Sequence, residues 1–182
     1  MAMTNQLTAA DLARIDEPGY RHELIEGALQ RMPPAGGEHG EIGMEIGWRV
    51  MNHVKAHRLG RVYGPDTGFL LATDPDTVLA PDIAVVRADR LPPRSERMGF
   101  LRVVPDLVIE IISPSERAVE VEAKIERYLA FGVPLVWTLI PRELRVMVHE
   151  TGRTPRTLES IDHLDGGDIL PGFSVRVAEL FA

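Results

Sequence analysis

One stretch limits the folds open to this chain more than any other. It runs from Val104 to Ser115 and reads VPDLVIEIISPS. It is an apolar run with one carboxylate, Glu110, set inside it, and a proline turn at Pro114 closes it. The pattern predicts a buried central strand. A buried strand seldom keeps a lone carboxylate unless that group is paired or binds a metal. We read Glu110 as a metal ligand, which obliges the rest of the chain to supply its partners.

A second carboxylate comes from the Pro-Asp pairs. Pro81-Asp82 precedes IAVV, and Pro105-Asp106 precedes LVIE. In an extended strand Asp106, Val108, Glu110 and Ile112 share one face, and Leu107, Ile109 and Ile111 share the other. If the strand that Asp82 opens pairs beside 106–112, Asp82 and Glu110 converge. Two carboxylates, a backbone carbonyl and waters form the hard oxygen shell that Mg²⁺ or Mn²⁺ takes. Asp106 sits where turn residues sit and is read as structural.

A cation follows in the next element. Ser115 to Phe131 has helical spacing, with Ser115 as its cap and Val121, Ile125 and Tyr128 as its apolar stripe. Lys124 lies at the stripe's edge. From Glu110 to Ser115 is roughly 16 Å of strand, and from Ser115 to Lys124 is roughly 14 Å of helix. A helix folded back over the strand therefore returns Lys124 to the level of Glu110. The competing reading is a boundary lysine that keeps its ammonium in water.

The remaining chain predicts an α/β fold, a mixed β-sheet flanked by helices. Thr8–Ile15 is a short helix with Thr8 and Asp11 in a capping box. Tyr20–Pro34 is a hairpin. Glu38 to Leu59 is a long helix on which Ile42, Ile46, Val50 and Val54 recur. Strands are expected at Phe69–Ala72, Val78–Val86, Pro105–Ile112, Leu135–Ile140 and Leu144–His149, with shorter ones near Thr157–Ile161 and Phe173–Val177. Leu91–Gly99 is a polar loop whose Arg90, Arg94 and Arg97 neighbourhood touches either phosphate or solvent. His53 and His57 are spaced i, i+4, but Val54 breaks the metalloprotease pattern and no third ligand follows, so both are read as exposed helix residues. Ser113 lacks a nucleophile-elbow context and is read as a turn residue.

Several segments together resemble the Uma-type family of restriction endonucleases, within the PD-(D/E)XK nuclease superfamily. They are HELIEG (22–27), MPP (32–34) with His39-Gly40, APDIAVV (80–86), PDLVIEIISPSER (105–117), Lys124 followed by YLAFGVPLVW (128–137), and LPGFSVRVAELF (170–181). The resemblance spans nearly the whole chain and implies one restriction-endonuclease-like domain over 1–182. It implies Mg²⁺-dependent hydrolysis of DNA phosphodiesters, with Asp82, Glu110 and the Ile111 carbonyl on the metal. Lys124 would orient the water or stabilise developing charge, and His39 and Glu23 would border the site, with Glu45 a weaker candidate. It also implies a homodimer, since two strands call for two sites. One position departs from the superfamily: Ile112 stands where its lysine is expected, and Lys124 is taken to fill that role from the helix.

Composition sets limits on this reading. At 182 residues and 45% hydrophobic, the chain can bury one sizeable core. No cysteine is present, which excludes thiolate ligands and disulfides and agrees with a cytoplasmic setting. No segment reads as a membrane span, and the N-terminus does not read as a signal peptide. The formal charge of −7 opposes nucleic-acid binding by charge alone, so contact needs a local basic patch or bound cations. Two rivals remain open: a nuclease-like fold kept as a non-catalytic binding module, and a hydrolase acting on RNA.

Overall fold

The computed structural model describes residues 6–114 and 116–182. Glu110 lies on β7 (Leu107–Ile111), a strand buried along its whole length. Its neighbours explain that burial. The sheet order is β10-β9-β8-β7-β6-β3, made of β3 (Gly60–Tyr63), β6 (Ile83–Arg87), β8 (Leu135–Ile140), β9 (Arg145–Glu150) and β10 (Arg156–Leu158) around it. β7 and β8 are parallel, joined through α3 (Ala118–Ala130), and the other pairs are antiparallel. A strand flanked on both edges and covered on both faces has no place for exposed polar residues.

Two helices do the covering. α2 (Gly37–Ala56) buries Ile42, Ile46, Val50 and Val54 against Ile83, Ile109, Ile111 and Trp137. On the other face α3 packs Ile125 and Tyr128 against Val108 and Val136. The alternation along β7 thus holds, and Glu110 shares the face of Val108, under α3. Burying one such aliphatic side chain contributes about 1.5–3 kcal/mol.

A second sheet, of order β2-β1-β5-β4, joins β1 (Arg21–Ile25), β2 (Ala28–Met32), β4 (Phe69–Ala72) and β5 (Thr77–Leu79). The short α1 (Ala9–Leu12) packs beside it and carries the expected Thr8/Asp11 capping box. A third, two-stranded ribbon pairs β11 (His163–Gly166) with β12 (Leu170–Arg176). Among the described residues no helix is long and apolar enough to cross a membrane.

The architecture is α/β with mixed sheets flanked by helices, as expected, but three details differ. The apolar run Val78–Val86 is two strands in two sheets rather than one strand. Pro81 has no N–H to give a ladder, and the chain changes sheets across Ala80-Pro81-Asp82. β11 has only one buried leucine among polar residues and carries little strand signal. The second long helix starts at Ala118 with Arg117 as its cap residue. The cap expected at Ser115 lies outside the described residues.

Candidate metal and catalytic site

Asp82 falls immediately before β6. Ile83 pairs with Ile109 and Ala84 with Val108. Continuing that antiparallel register sets Asp82 opposite Glu110, on the same face of the sheet. Both carboxylates are buried, 5% exposed each. That burial would be untenable for lone charges, and each oxygen is in fact engaged.

Glu110 is held from α3. Lys124 Nζ donates to Glu110 Oε2 at 2.9 Å, and the Tyr128 hydroxyl donates to Oε1 at 2.7 Å. Lys124 and Tyr128 are one helical turn apart, so a single helix face grips both oxygens. Asp82 is held from three other elements. Arg21 on β1 reaches Oδ1 at 3.2 Å, and His39 at the start of α2 lies 3.1 Å from Oδ2. The Ile111 N–H donates to Oδ2 at 2.9 Å. In an extended strand a residue's C=O points to the same edge as its N–H, so the Ile111 carbonyl also faces the Asp82 side.

The electrostatics are uneven. Burial pushes the Glu110 carboxyl up to about 7; Lys124 pulls it down, while Asp82 and Glu23 push it further up. Burial works against the Lys124 ammonium, yet Glu110, Glu23 and Asp82 outweigh it and hold its pKa above the usual lysine range. Both groups shift upward, which favours the charge on Lys124 and opposes it on Glu110, because Lys124 faces three carboxylates, whereas Glu110 faces one ammonium against burial and two like charges. Burial and Glu110 keep the Tyr128 phenol protonated, hence a donor. Burial alone would raise Asp82, but His39, the Ile111 N–H and Lys124 hold it below the ordinary carboxylate range. The hydrogen bond to Asp82 raises His39 in turn.

The sequence candidates Asp82, Glu110, Ile111, Lys124 and His39 therefore meet in one place. Glu23 is buried and near them, with Oε1 accepting the Ala80 N–H at 2.7 Å. Glu45 does not join them; it pairs with Arg49 along α2 at 2.6 Å. Asp106 is structural, accepting from the Arg87 N–H at 2.8 Å and from Arg90 at 2.6 Å. Arg90 thus pairs with Asp106 while its side chain stays 40% exposed to solvent. His53 stacks near His57, with ring centroids 4.3 Å apart, and its Nε2 lies 3.1 Å from the Pro171 carbonyl oxygen.

Sequence reasoning missed two members. Arg21 sits in a hairpin with nothing local to mark it. Tyr128 belongs to the apolar stripe by its spacing, but a buried tyrosine hydroxyl needs a partner, and here it is Glu110.

The donor set suits a hard divalent cation. Buried carboxylates retain further lone pairs beside those engaged, and a carbonyl faces the same edge. Among the described residues no three His, Asp or Glu side chains gather closely enough to hold a cation alone. The carbonyl and waters would have to complete the shell, as Mg²⁺ usually requires.

Comparison with known proteins places the chain among nuclease-like folds. The Uma2 family, described as "Putative restriction endonuclease", matches residues 7–178. A crystal structure described as a putative nuclease belonging to DUF820, from Anabaena variabilis ATCC 29413, superposes with a TM-score of 0.84 at 23% identity. That alignment covers 96% of this chain and 97% of the other. No curated protein matches the chain.

Proposed function

Because the chain belongs to the Uma2 family, we propose that it is a metal-dependent DNA endonuclease that hydrolyses phosphodiester bonds. The observation that carries this reading is the convergence of two buried carboxylates with a lysine and a histidine at one point of the central strands. Mg²⁺ (or Mn²⁺) would be held by Asp82, Glu110 and the Ile111 carbonyl. When bound, the cation supplies positive charge that polarises a phosphate oxygen and acidifies a water.

The chain's own groups have distinct tasks. Asp82 and Glu110 bind, and Tyr128 and the Ile111 N–H fix their orientation. Lys124 is held protonated, so it does not act as a base; it stabilises charge that develops on phosphate and orients the attacking water. His39, held by Asp82 with a raised pKa, would give a proton to the leaving oxygen. Despite the −7 charge, Lys124, Arg21 and the metal would supply local cations to meet phosphate at the site. We assign the activity to the cytoplasm and to a homodimer, one copy for each strand.

A second reading has its own support. Arg21, His39, Lys124 and Tyr128 already occupy both carboxylates, and Ile112 stands at the superfamily's lysine position. A non-catalytic module would look like this. Calorimetric titration of Mg²⁺ and Mn²⁺ separates the two: binding that is lost in Glu110→Ala is expected, and no binding sinks the enzyme. Supercoiled plasmid, single-stranded DNA and RNA, each with and without Mg²⁺, then test the substrate. Metal-dependent nicking of plasmid is expected, and cutting of RNA alone overturns the DNA assignment.

A further inference from the structure

α2 has two apolar faces, and among the described residues only one packs into the core. Ile42, Ile46, Val50 and Val54 enter the core. On the opposite side Met44 is 73% exposed, Trp48 60% and Met51 43%. These three follow one another at helical spacing and form a continuous stripe. Glu41 and Lys55, both exposed, extend it at either end. A tryptophan between two methionines, in water on a well-formed helix, is the kind of patch that marks an interaction surface.

The order of residues along the stripe identifies the occupant. Taken outward from Trp48, the stripe reads Met44 then Glu41 toward the N-terminus, and Met51 then Lys55 toward the C-terminus. Glu41 and Lys55 are equally far from Trp48, each within about 20° of it around the helix. The N-terminal half is acidic, with Glu38, Glu41 and Glu45, and the last turn carries the basic Lys55. A surface of this kind is complementary to itself when turned end for end, which is what an isologous two-fold contact requires.

We propose that two copies of this chain pair through α2, antiparallel about Trp48. Trp48 then meets Trp48, the methionines of one helix flank the tryptophan of the other, and Glu41 meets Lys55 of the second copy at both ends. A parallel pairing sets like charges together and is disfavoured by the same residues. The antiparallel pairing also aligns the helix dipoles favourably. Beside the stripe, Leu144 (51% exposed) and Phe181 line a groove of about 820 Å³ with Met44 and Trp48, which leaves room for the second copy's side chains.

The pairing deepens the two-copy reading of function without depending on catalysis. His39, which contacts Asp82, lies on the same helix roughly 13 Å from Trp48 along the axis. The two sites would therefore be held about 27 Å apart along the shared axis, on helices about 8–10 Å apart.

Analytical ultracentrifugation of the full chain, without metal or DNA, tests the pairing. The wild type is expected at twice the monomer mass. Trp48→Arg is expected to be monomeric. Glu41→Lys and Lys55→Glu should each weaken dimerisation by about tenfold or more, and the double variant should return it to within about threefold of wild type. All three positions are exposed, and circular dichroism confirms that the variants fold. A wild type that is monomeric throughout overturns the proposal, and so does a dimer indifferent to Trp48→Arg or a double variant no better than the singles. A dimer that cuts nothing refutes only the nuclease reading, whereas a monomer that cuts refutes only the pairing.

Discussion

Lys124→Met is the most informative single change, because it removes a buried cation without altering the length of the side chain much. Glu110 would be left under α3 with the Tyr128 hydroxyl alone. Removing one partner of a buried ion pair destabilises by about 3–5 kcal/mol when the other stays charged. Here the other need not stay charged, since burial already lifts Glu110 to about 7 with Lys124 present. Without Lys124 it rises further. A carboxyl raised on folding stabilises the fold below its unfolded pKa and loses that contribution as pH rises through the folded value. Below about pH 7 both proteins hold the Glu110 proton, and their stability difference is flat. Above it the wild type releases the proton while the variant retains it. The gap should widen by about 1.4 kcal/mol per pH unit, until Glu110 ionises in the variant too. Urea denaturation at a series of pH values from 6 to 9, in the presence of EDTA, measures this directly. A stability difference independent of pH, or one below about 1 kcal/mol at the alkaline end, would falsify the account of the pair.

Other perturbations separate structure from site. Arg21→Met frees Asp82 Oδ1 from its guanidinium, so Mn²⁺ should bind more tightly and raise Tm further than in wild type; weaker binding would show that Arg21 instead builds the site. Asp106→Ala orphans the Arg87 N–H and should destabilise by about 1–3 kcal/mol while leaving Mn²⁺ affinity unchanged. His149 is buried, its Nε2 has no partner among the described residues, and burial holds its pKa down. The unfolded chain takes up that proton near pH 6.5 and the fold resists it, so stability should fall on acidification through about pH 6.5. His149→Phe should flatten that part of the profile, and an unchanged slope would assign it to other groups.

The parts of the site that the sequence made legible are those where a residue contradicts its surroundings. Glu110 in an apolar run demanded a partner, and the strand and helix rises were enough to bring Lys124 back to it. Asp82 was marked by the proline before it and the strand after it. Arg21 carried no such contradiction, because an arginine in a hairpin is ordinary and its carboxylate lies 61 residues away. Tyr128 satisfies two environments at once, its ring in the α3 cluster and its hydroxyl on Glu110, and periodicity registers only the ring. The division of Val78–Val86 was hidden for a related reason. Apolar alternation reports burial, and both sheets bury their share of that run, so only Pro81 hinted at the break. Glu45 looked eligible by its place on α2, but helix geometry offered it Arg49 one turn away.

The link Ala80-Pro81-Asp82 has a mechanical meaning. It is the passage between the two sheets, with Glu23 bonded to its first residue and Arg21 to its last. The hairpin of β1 and β2 meets the rest of its sheet through β5, where Leu24 pairs with Val78. A ligand that tightens Asp82 therefore clamps the root of that hairpin as well. Amide hydrogen exchange across Arg21–Met32 should slow when the site is filled, so the hairpin works as a gauge of occupancy, readable far from any cleavage assay.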